Sequence, residues 1–239
     1  MRLEPASGLV VRQSVAGTAA EDLQSSVDLL RAVASGHIPE QRVVRLYTPR
    51  PTLALSRRES RMPGFERACA SAERLGFEPA VRPTGGRAVA YDESCLIVDV
   101  VCRDDGMDQN EFFARAGHTM VDALRALGVD ARVGPVAGEY CPGEFSINSR
   151  GVVKLMGTSQ RAVRGARLLS GMLALGDVGH LVEVLVEANR ALELEWRPET
   201  FGTLTSEAPH VRRADLEASL IRALLPLGAT PATGSREDA

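Results

Sequence analysis

One apolar run near the middle of the chain constrains the fold more than any other segment. Six of the seven residues from Cys95 to Val101 are apolar, and Asp99 is the exception. A strand that is apolar on both faces is typical of the centre of a sheet that is covered on both sides. The sequence therefore predicts a layered α/β (α+β) fold in which this strand lies centrally in a mixed β-sheet flanked by helices.

Helical and strand-like patterns surround this run. Thr18 and Glu21 form a capping box before a segment with apolar residues at helical spacing, and Gly36 ends that segment. Further helices are predicted over residues 64–75, 110–128, 179–192 and 214–225. Strands are predicted over residues 42–47, 52–56, 78–82, 87–91, 95–101, 130–134, 144–148, 152–156 and 168–175. No linker divides the chain, so residues 1–227 are predicted to form one domain and the small, polar residues 228–239 a disordered tail.

Composition excludes several classes of protein. The chain has 239 residues and a net charge of -3, and its basic residues form no cluster, which argues against nucleic acid as a partner. No apolar run reaches the roughly 18–20 residues that span a bilayer, and the first residues do not form a signal peptide. The four cysteines and four histidines show no metal-binding spacing, so we expect free thiols, no metal and a cytoplasmic location.

Lysine is almost absent from this chain. Of the 28 basic residues, 27 are arginine and one, Lys154, is lysine. Base-composition drift toward arginine explains such a bias, and a surviving lysine then marks a place that arginine cannot take. Lysine offers a compact point charge, whereas the guanidinium is planar and always charged.

Two glycine-bearing segments are candidates for a functional site. In the first, residues 82–89 (Arg-Pro-Thr-Gly-Gly-Arg-Ala-Val), adjacent glycines allow the backbone to approach a ligand closely and to turn N–H groups toward it. The segment has neither the Walker pattern nor the dinucleotide-binding pattern. By itself it fits a tight connection between strands as well as a binding loop.

The second segment contains Cys141 in a loop rich in Gly and Pro, followed by Lys154 thirteen positions later. A hairpin that turns at residues 149–151 would return Lys154 toward the cysteine loop. A cation beside a thiol favours the nucleophilic thiolate. The residues alone leave two interpretations open, a packed loop cysteine with a surface lysine or a nucleophile with its cation.

Together these motifs resemble the biotin/lipoate protein ligase catalytic-domain superfamily. The resemblance rests on residues 82–89 and on residues 154–161 (Lys-Leu-Met-Gly-Thr-Ser-Gln-Arg), and it extends from about residue 10 to 225. It implies a mixed β-sheet flanked by helices and an acyl chain bound between the glycine segment and the lysine strand. The implied acyl-binding residues are Arg82, Thr84, Gly85, Gly86, Arg87, Ala88, Gly157 and Thr158.

Residues 140–147 (Tyr-Cys-Pro-Gly-Glu-Phe-Ser-Ile) resemble the Cys-Pro-Gly-Asp-Tyr stretch of the lipoyl/octanoyl amidotransferases. That likeness implies transfer of an octanoyl or lipoyl group through a thioester on Cys141, with Lys154 as the second catalytic residue. The implied donor is the glycine cleavage H protein, and the implied acceptors are lipoyl domains of 2-oxoacid dehydrogenase E2 subunits. Arg87 after the two glycines is instead similar to octanoyltransferases whose donor is acyl carrier protein. No cofactor is required for either transfer.

Two alternatives remain. An ATP-dependent lipoate–protein ligase would use ATP and Mg²⁺ to form an acyl-adenylate bound by Lys154, but the Asn-Asp pair of such ligases is replaced here by residues 142–144 (Pro-Gly-Glu). A histidine-bearing segment usual after the lysine motif is also missing, since residues 167–171 read Arg-Leu-Leu-Ser-Gly. The second alternative is a non-catalytic acyl-binding paralogue that keeps the fold.

Overall fold

The computed structural model describes residues 8–14 and 17–226, with the side chains of residues 12–14 excepted. In chain order the elements are β1 (Gly8–Ser14), α1 (Ala19–Ser35), β2 (Arg42–Thr48), β3 (Thr52–Leu55), α2 (Phe65–Arg74), β4 (Glu78–Val81), β5 (Val89–Tyr91), β6 (Cys95–Arg103), α3 (Gln109–Arg125), β7 (Ala131–Val133), β8 (Ile147–Ser149), β9 (Val153–Val163), β10 (Ala166–Ala174), α4 (Gly179–Ala191), α5 (Leu204–Glu207) and α6 (Arg213–Leu224). Short 3₁₀ turns lie at Glu59–Arg61 and Pro198–Thr200.

Two sheets organise the described residues. The large mixed sheet has seven strands in the order β1-β2-β6-β10-β9-β8-β7, in which β1 and β2 are parallel and the other neighbours antiparallel. The small sheet has the order β4-β3-β5. Because β6 lies between β2 and β10, the apolar run occupies the interior of the large sheet, as the sequence predicts.

Helices cover β6 from both faces. On one face α3 and α6 pack against the sheet, and Phe113 and Met120 lie in one core with Val98 and Val100. On the other face α1 packs against β6 and β10, where Leu30 joins a second core. The small sheet, α2 and α4 extend this second face around a third core. The predicted α/β class and the flanking of the sheet by helices are therefore confirmed.

Local signals place the first helix where the sequence predicts it. The Thr18 hydroxyl accepts a hydrogen bond from the Glu21 amide, and the Glu21 carboxylate accepts one from the Thr18 amide. Gly36 ends the helix with a φ of 81°, in the left-handed region that favours glycine. The turn at residues 149–151 also joins two antiparallel strands, β8 and β9, so the predicted hairpin is present.

Two strand predictions differ from the structure by more than two residues at one end, and one strand was not predicted. The strand predicted over 144–148 is confined to Ile147–Ser149, because a turn closed by the Ser146 amide and the Gly143 carbonyl precedes it. The strand predicted over 152–156 continues to Val163 and pairs with β10 over that length. Strand β1 was not predicted. The predicted tail, residues 228–239, lies outside the described residues, among which no helix has the length and apolar character to cross a membrane.

Candidate active site

A pocket lies between the large sheet, α1 and the small sheet. It encloses about 620 Å³, counting the part that is open to solvent. Its floor includes Ile97 and Met172, its opposite wall includes Ala54 and Val89, and the first residues of the glycine segment form one side. Apolar walls with a few polar groups are typical of small-molecule sites.

Cys141 lines this pocket and is half-buried. The backbone amide of Arg87 donates a hydrogen bond to its Sγ at 3.1 Å. The neighbouring amide of Ala88 donates to Glu59 Oε1 at 2.7 Å, which fixes the end of the glycine segment. Gly86 passes so close to the thiol, with a φ of 105°, that a Cβ there would lie 3.1 Å from Sγ. Gly86 thus allows a backbone N–H to reach the sulfur.

Lys154 is buried, with 2% of its surface exposed, and so differs from the surface lysine that one interpretation assumed. Its Nζ donates hydrogen bonds to the Cys141 carbonyl at 2.5 Å and to Glu139 Oε1 at 3.3 Å. It also lies 4.5 Å from the centre of the Tyr140 ring. Burial lowers the pKa of this ammonium, while Cys141 and Glu139 oppose the change. The hairpin has therefore brought Lys154 to the cysteine loop.

Glu139 is a site residue that the sequence analysis missed. Glu139 is 1% exposed. In addition to the hydrogen bond from Lys154, its carboxylate accepts one from the Val136 amide at 3.0 Å, one from the Gly143 amide at 3.1 Å and one from the Ser146 hydroxyl at 2.8 Å. Its carboxylate therefore ties the loop around Cys141 to the lysine. The sequence offered one signal, an acidic residue inside the same glycine-rich loop as the cysteine.

Aromatic residues support the lysine strand from behind. The Tyr140 ring stacks on Phe201 at 5.2 Å and meets Trp196 edge-on at 6.0 Å. The Gly202 amide donates to the Lys154 carbonyl at 2.9 Å. The segment after α4 thus encloses both the cation and the loop that holds the thiol.

The other predicted residues fall into three places. Those that line the pocket with Cys141 are Arg82, Thr84, Gly157 and Thr158. Those that line an adjoining open groove, on the outer side of the glycine segment, are Gly85, Gly86 and Arg87; Thr84 borders both spaces. Ala88 is fully buried in the core beneath, so the structure gives it packing contacts and no place in the pocket wall.

Arg82 holds the glycine segment from below. Its side chain is 8% exposed and donates to the Arg87 carbonyl. Arg161 adds a hydrogen bond to the Pro83 carbonyl at 2.6 Å.

In the part of the chain that the structure describes, no group of three or more His, Cys, Asp or Glu side chains could hold a metal ion.

Comparisons with known proteins agree with this arrangement. The family model of the lipoyl protein ligase A/B catalytic domain matches residues 19–225. An octanoyl-[GcvH]:protein N-octanoyltransferase of Anoxybacillus flavithermus is 33% identical over 139 residues, which cover 57% of this chain and 49% of that protein. One of the same name from Exiguobacterium sibiricum is 29% identical over 205 residues, which cover 80% of this chain and 74% of that protein. The chain thus matches about half the length of the first relative and three quarters of the second.

A solved structure shows the same fold. The crystal structure of lipoate-protein ligase A bound with ATP superposes with a TM-score of 0.72 over 90% of this chain and 83% of that one, at 23% identity.

Proposed function

This chain belongs to the lipoyl protein ligase A/B catalytic-domain family, and from that premise we propose that it is an acyltransferase. It moves an octanoyl or lipoyl group to the lysine of a lipoyl-domain protein through a thioester on Cys141. The observation that supports this most directly is the hydrogen bond from the Arg87 amide to the Cys141 sulfur, at the edge of a pocket with apolar walls.

The reaction has two balanced steps. In the first, the Cys141 thiolate attacks the acyl carbonyl of the donor, a carbon–sulfur bond forms, and the bond to the donor's amine or thiol breaks. A departing amine takes up one proton from solvent, and a departing thiol leaves as its thiolate. In the second, the acceptor's lysine amine attacks the thioester, a carbon–nitrogen bond forms, the thiolate leaves, and the amine's proton passes to solvent. The bond broken in an amide donor is of the same kind as the bond made in the product, so the cycle consumes no ATP.

The protein's own groups stabilise the charges that develop. The Arg87 N–H lies 3.1 Å from Cys141 Sγ, where the thiolate carries its negative charge before attack and again when the thioester breaks. Lys154 places a buried positive charge beneath the loop that carries Cys141 and holds the Cys141 carbonyl in place.

The acyl chain occupies the pocket. Burial of a methylene contributes about 0.8 kcal/mol, so six methylenes contribute about 5 kcal/mol of binding. The two relatives are named for transfer from the glycine cleavage H protein. We propose the same donor here, or an acyl carrier protein, with lipoyl domains of 2-oxoacid dehydrogenase E2 subunits as acceptors.

The test is to trap the intermediate. The protein is incubated with an octanoylated donor, quenched in acid and digested, and an added octanoyl mass is expected on the Cys141 peptide. Cys141→Ser should abolish both the adduct and the transfer, and full transfer by that variant would refute the covalent mechanism. Lys154→Arg should lose most of the activity. Lipoate-dependent exchange of pyrophosphate into ATP would instead establish the ligase reaction.

A further inference from the structure

The floor of the acyl pocket is built from one row of residues across the large sheet. Gly157 on β9 pairs with Met172 on β10, Met172 with Ile97 on β6, and Ile97 with Tyr47 on β2. All four line the pocket. The row therefore leads from β9, the strand of Lys154, across β10 and β6 to Tyr47 on β2.

The length of this row matches an eight-carbon chain. Neighbouring strands lie about 4.8 Å apart, so β6 lies roughly 10 Å from β9. With carbon–carbon bonds of about 1.5 Å, an extended octanoyl chain spans roughly 9 Å from its carbonyl carbon to its last carbon. A chain attached to Cys141 and laid along the row thus ends over Ile97, beside Tyr47.

Three side chains with hydroxyl groups line the pocket beyond the apolar row. Tyr47 and Tyr91 line the pocket, are only 4% and 5% exposed, and neither phenol hydroxyl has a hydrogen-bond partner among the described residues. Ser170 lies two positions from Met172 on the same face of β10 and also lines the pocket, and its hydroxyl likewise has no partner within the described part of the chain. A buried hydroxyl without a partner costs free energy, and a methyl end of an acyl chain would leave all three hydroxyls in that state.

Charged groups behind the hydroxyls set the polarity of the subsite. Ser170 pairs across the sheet with Asp99, and Asp99 with Arg45. Arg45 and Asp99 form a buried ion pair at 3.0 Å, and the Ser26 hydroxyl donates to Asp99 at 2.9 Å. The Asp22 carboxylate also acts on both phenols, so two carboxylates and one guanidinium lie behind the hydroxyls, and a negatively charged tail is disfavoured there.

The two phenols act as donors. Burial raises the pKa of both Tyr47 and Tyr91, and the carboxylates of Asp22 and Asp99 raise both pKa values further. Both hydroxyls therefore stay protonated throughout the physiological range. A neutral acceptor, such as an oxygen or a polarisable sulfur, suits them.

We infer that Tyr47, Tyr91 and Ser170 form a distal subsite that determines specificity for an acyl chain with a neutral hydrogen-bond acceptor near its far end. The inference rests on the proposed acyl-transfer function, because it assumes that the acyl group enters this pocket from Cys141. It places the discrimination between a plain alkyl chain and a substituted one in these three hydroxyls.

Calorimetric binding of free acids to the full chain tests the inference without requiring any transfer. The matched probes are 8-hydroxyoctanoate and nonanoate, which are equally long and differ only at the far end, where the first has a hydroxyl and the second a methyl. Lipoate is the third probe and tests sulfur as the acceptor. Tyr47→Phe, Tyr91→Phe and Ser170→Ala each remove one hydroxyl. Ser35→Ala, at an exposed position at the end of α1, is the control.

Each pocket variant should lower the affinity for 8-hydroxyoctanoate by about 2- to 12-fold, which corresponds to the loss of one neutral hydrogen bond. Nonanoate should bind to each variant as well as to the parent, or better. The affinity for lipoate should also fall in each pocket variant. Ser35→Ala should leave the affinities for all three acids unchanged. Equal effects on both matched acids, unchanged binding in all variants, or no binding of any acid would overturn the inference. A failure of acyl transfer alone, with this binding pattern intact, would count against the proposed function and leave the distal subsite standing.

Discussion

Replacing Glu139 with Gln removes the acidic partner that the described structure gives Lys154. The ion pair is almost completely buried, since the side chains of Lys154 and Glu139 are 1% and 0% exposed. Gln keeps the shape and one oxygen, which can still accept from Gly143 and Ser146, while its amide nitrogen faces the Val136 N–H. The variant therefore removes the negative charge and one hydrogen bond. The ammonium is left buried beside neutral groups.

The magnitude follows from that burial. Breaking a buried ion pair by removing one partner typically costs about 3–5 kcal/mol, because an uncompensated charge remains. For a domain of this size each kcal/mol lowers the melting temperature by about 2–4 °C, so Glu139→Gln should lower it by about 6–20 °C. Lys154→Met, which leaves the carboxylate without its cation, should destabilise the fold to a similar degree.

The double variant distinguishes this reasoning from simple disruption of packing. With both charges removed, no uncompensated charge remains, so Glu139→Gln with Lys154→Met should be more stable than either single variant. Urea unfolding followed by circular dichroism measures all three free energies. Glu144→Gln, at an exposed position in the same loop, is the control and should stay within about 0.5 kcal/mol of the parent. Additive losses in the double variant would refute the ion-pair argument.

Two further predictions concern the glycine segment and the pocket's charged neighbour. Gly86→Ala should reduce acylation of Cys141 at least tenfold, because Gly86 has a positive φ and a Cβ there would press on the thiol. Gly85→Ala is the control and should be acylated normally, since a Cβ at that position would meet no atom within 4 Å. Mass spectrometry of the Cys141 peptide in both variants measures the difference. Burial raises the pKa of Asp22 from 3.8 to about 6. The native state therefore holds more protons than the unfolded state between pH 4 and 6, and stability falls as the pH rises through that window. Asp22→Asn should be more stable than the parent by about 3 kcal/mol at pH 7 and equal to it below pH 4, and parallel stability curves across this range would contradict the expectation.

The parts of the fold that the sequence predicts are those in which burial alone determines the residue pattern. Strand β6 is covered on both faces, so its residues are apolar in continuous order, and α1 has an apolar stripe with caps at both ends. The second half of β9 was missed because it borders the pocket. Residues 157–159 are Gly, Thr and Ser, and all three line that space, so their side chains are small and polar and show no apolar alternation.

The site was predictable where its residues are close in sequence and bear distinctive chemistry. Cys141 and Lys154 lie thirteen positions apart on either side of one hairpin, and the structure joins them through the Cys141 carbonyl. Tyr47 and Ser170 come from strands far apart in sequence that meet only through the register of β2, β6 and β10. No local pattern marks such residues, because strand order in a sheet is a property of the whole chain.

The surroundings of Lys154 explain why a chain with 27 arginines retains a lysine there. Three groups surround the ammonium: the Cys141 carbonyl, the Glu139 carboxylate and the face of the Tyr140 ring. That number matches the three donors of a compact ammonium, whereas a guanidinium is planar and brings five donors that need partners in a space with almost no solvent. Arginine would therefore leave donors unsatisfied or displace the loop that positions the thiol. Drift toward arginine explains the composition, and the geometry of this one buried position explains its exception.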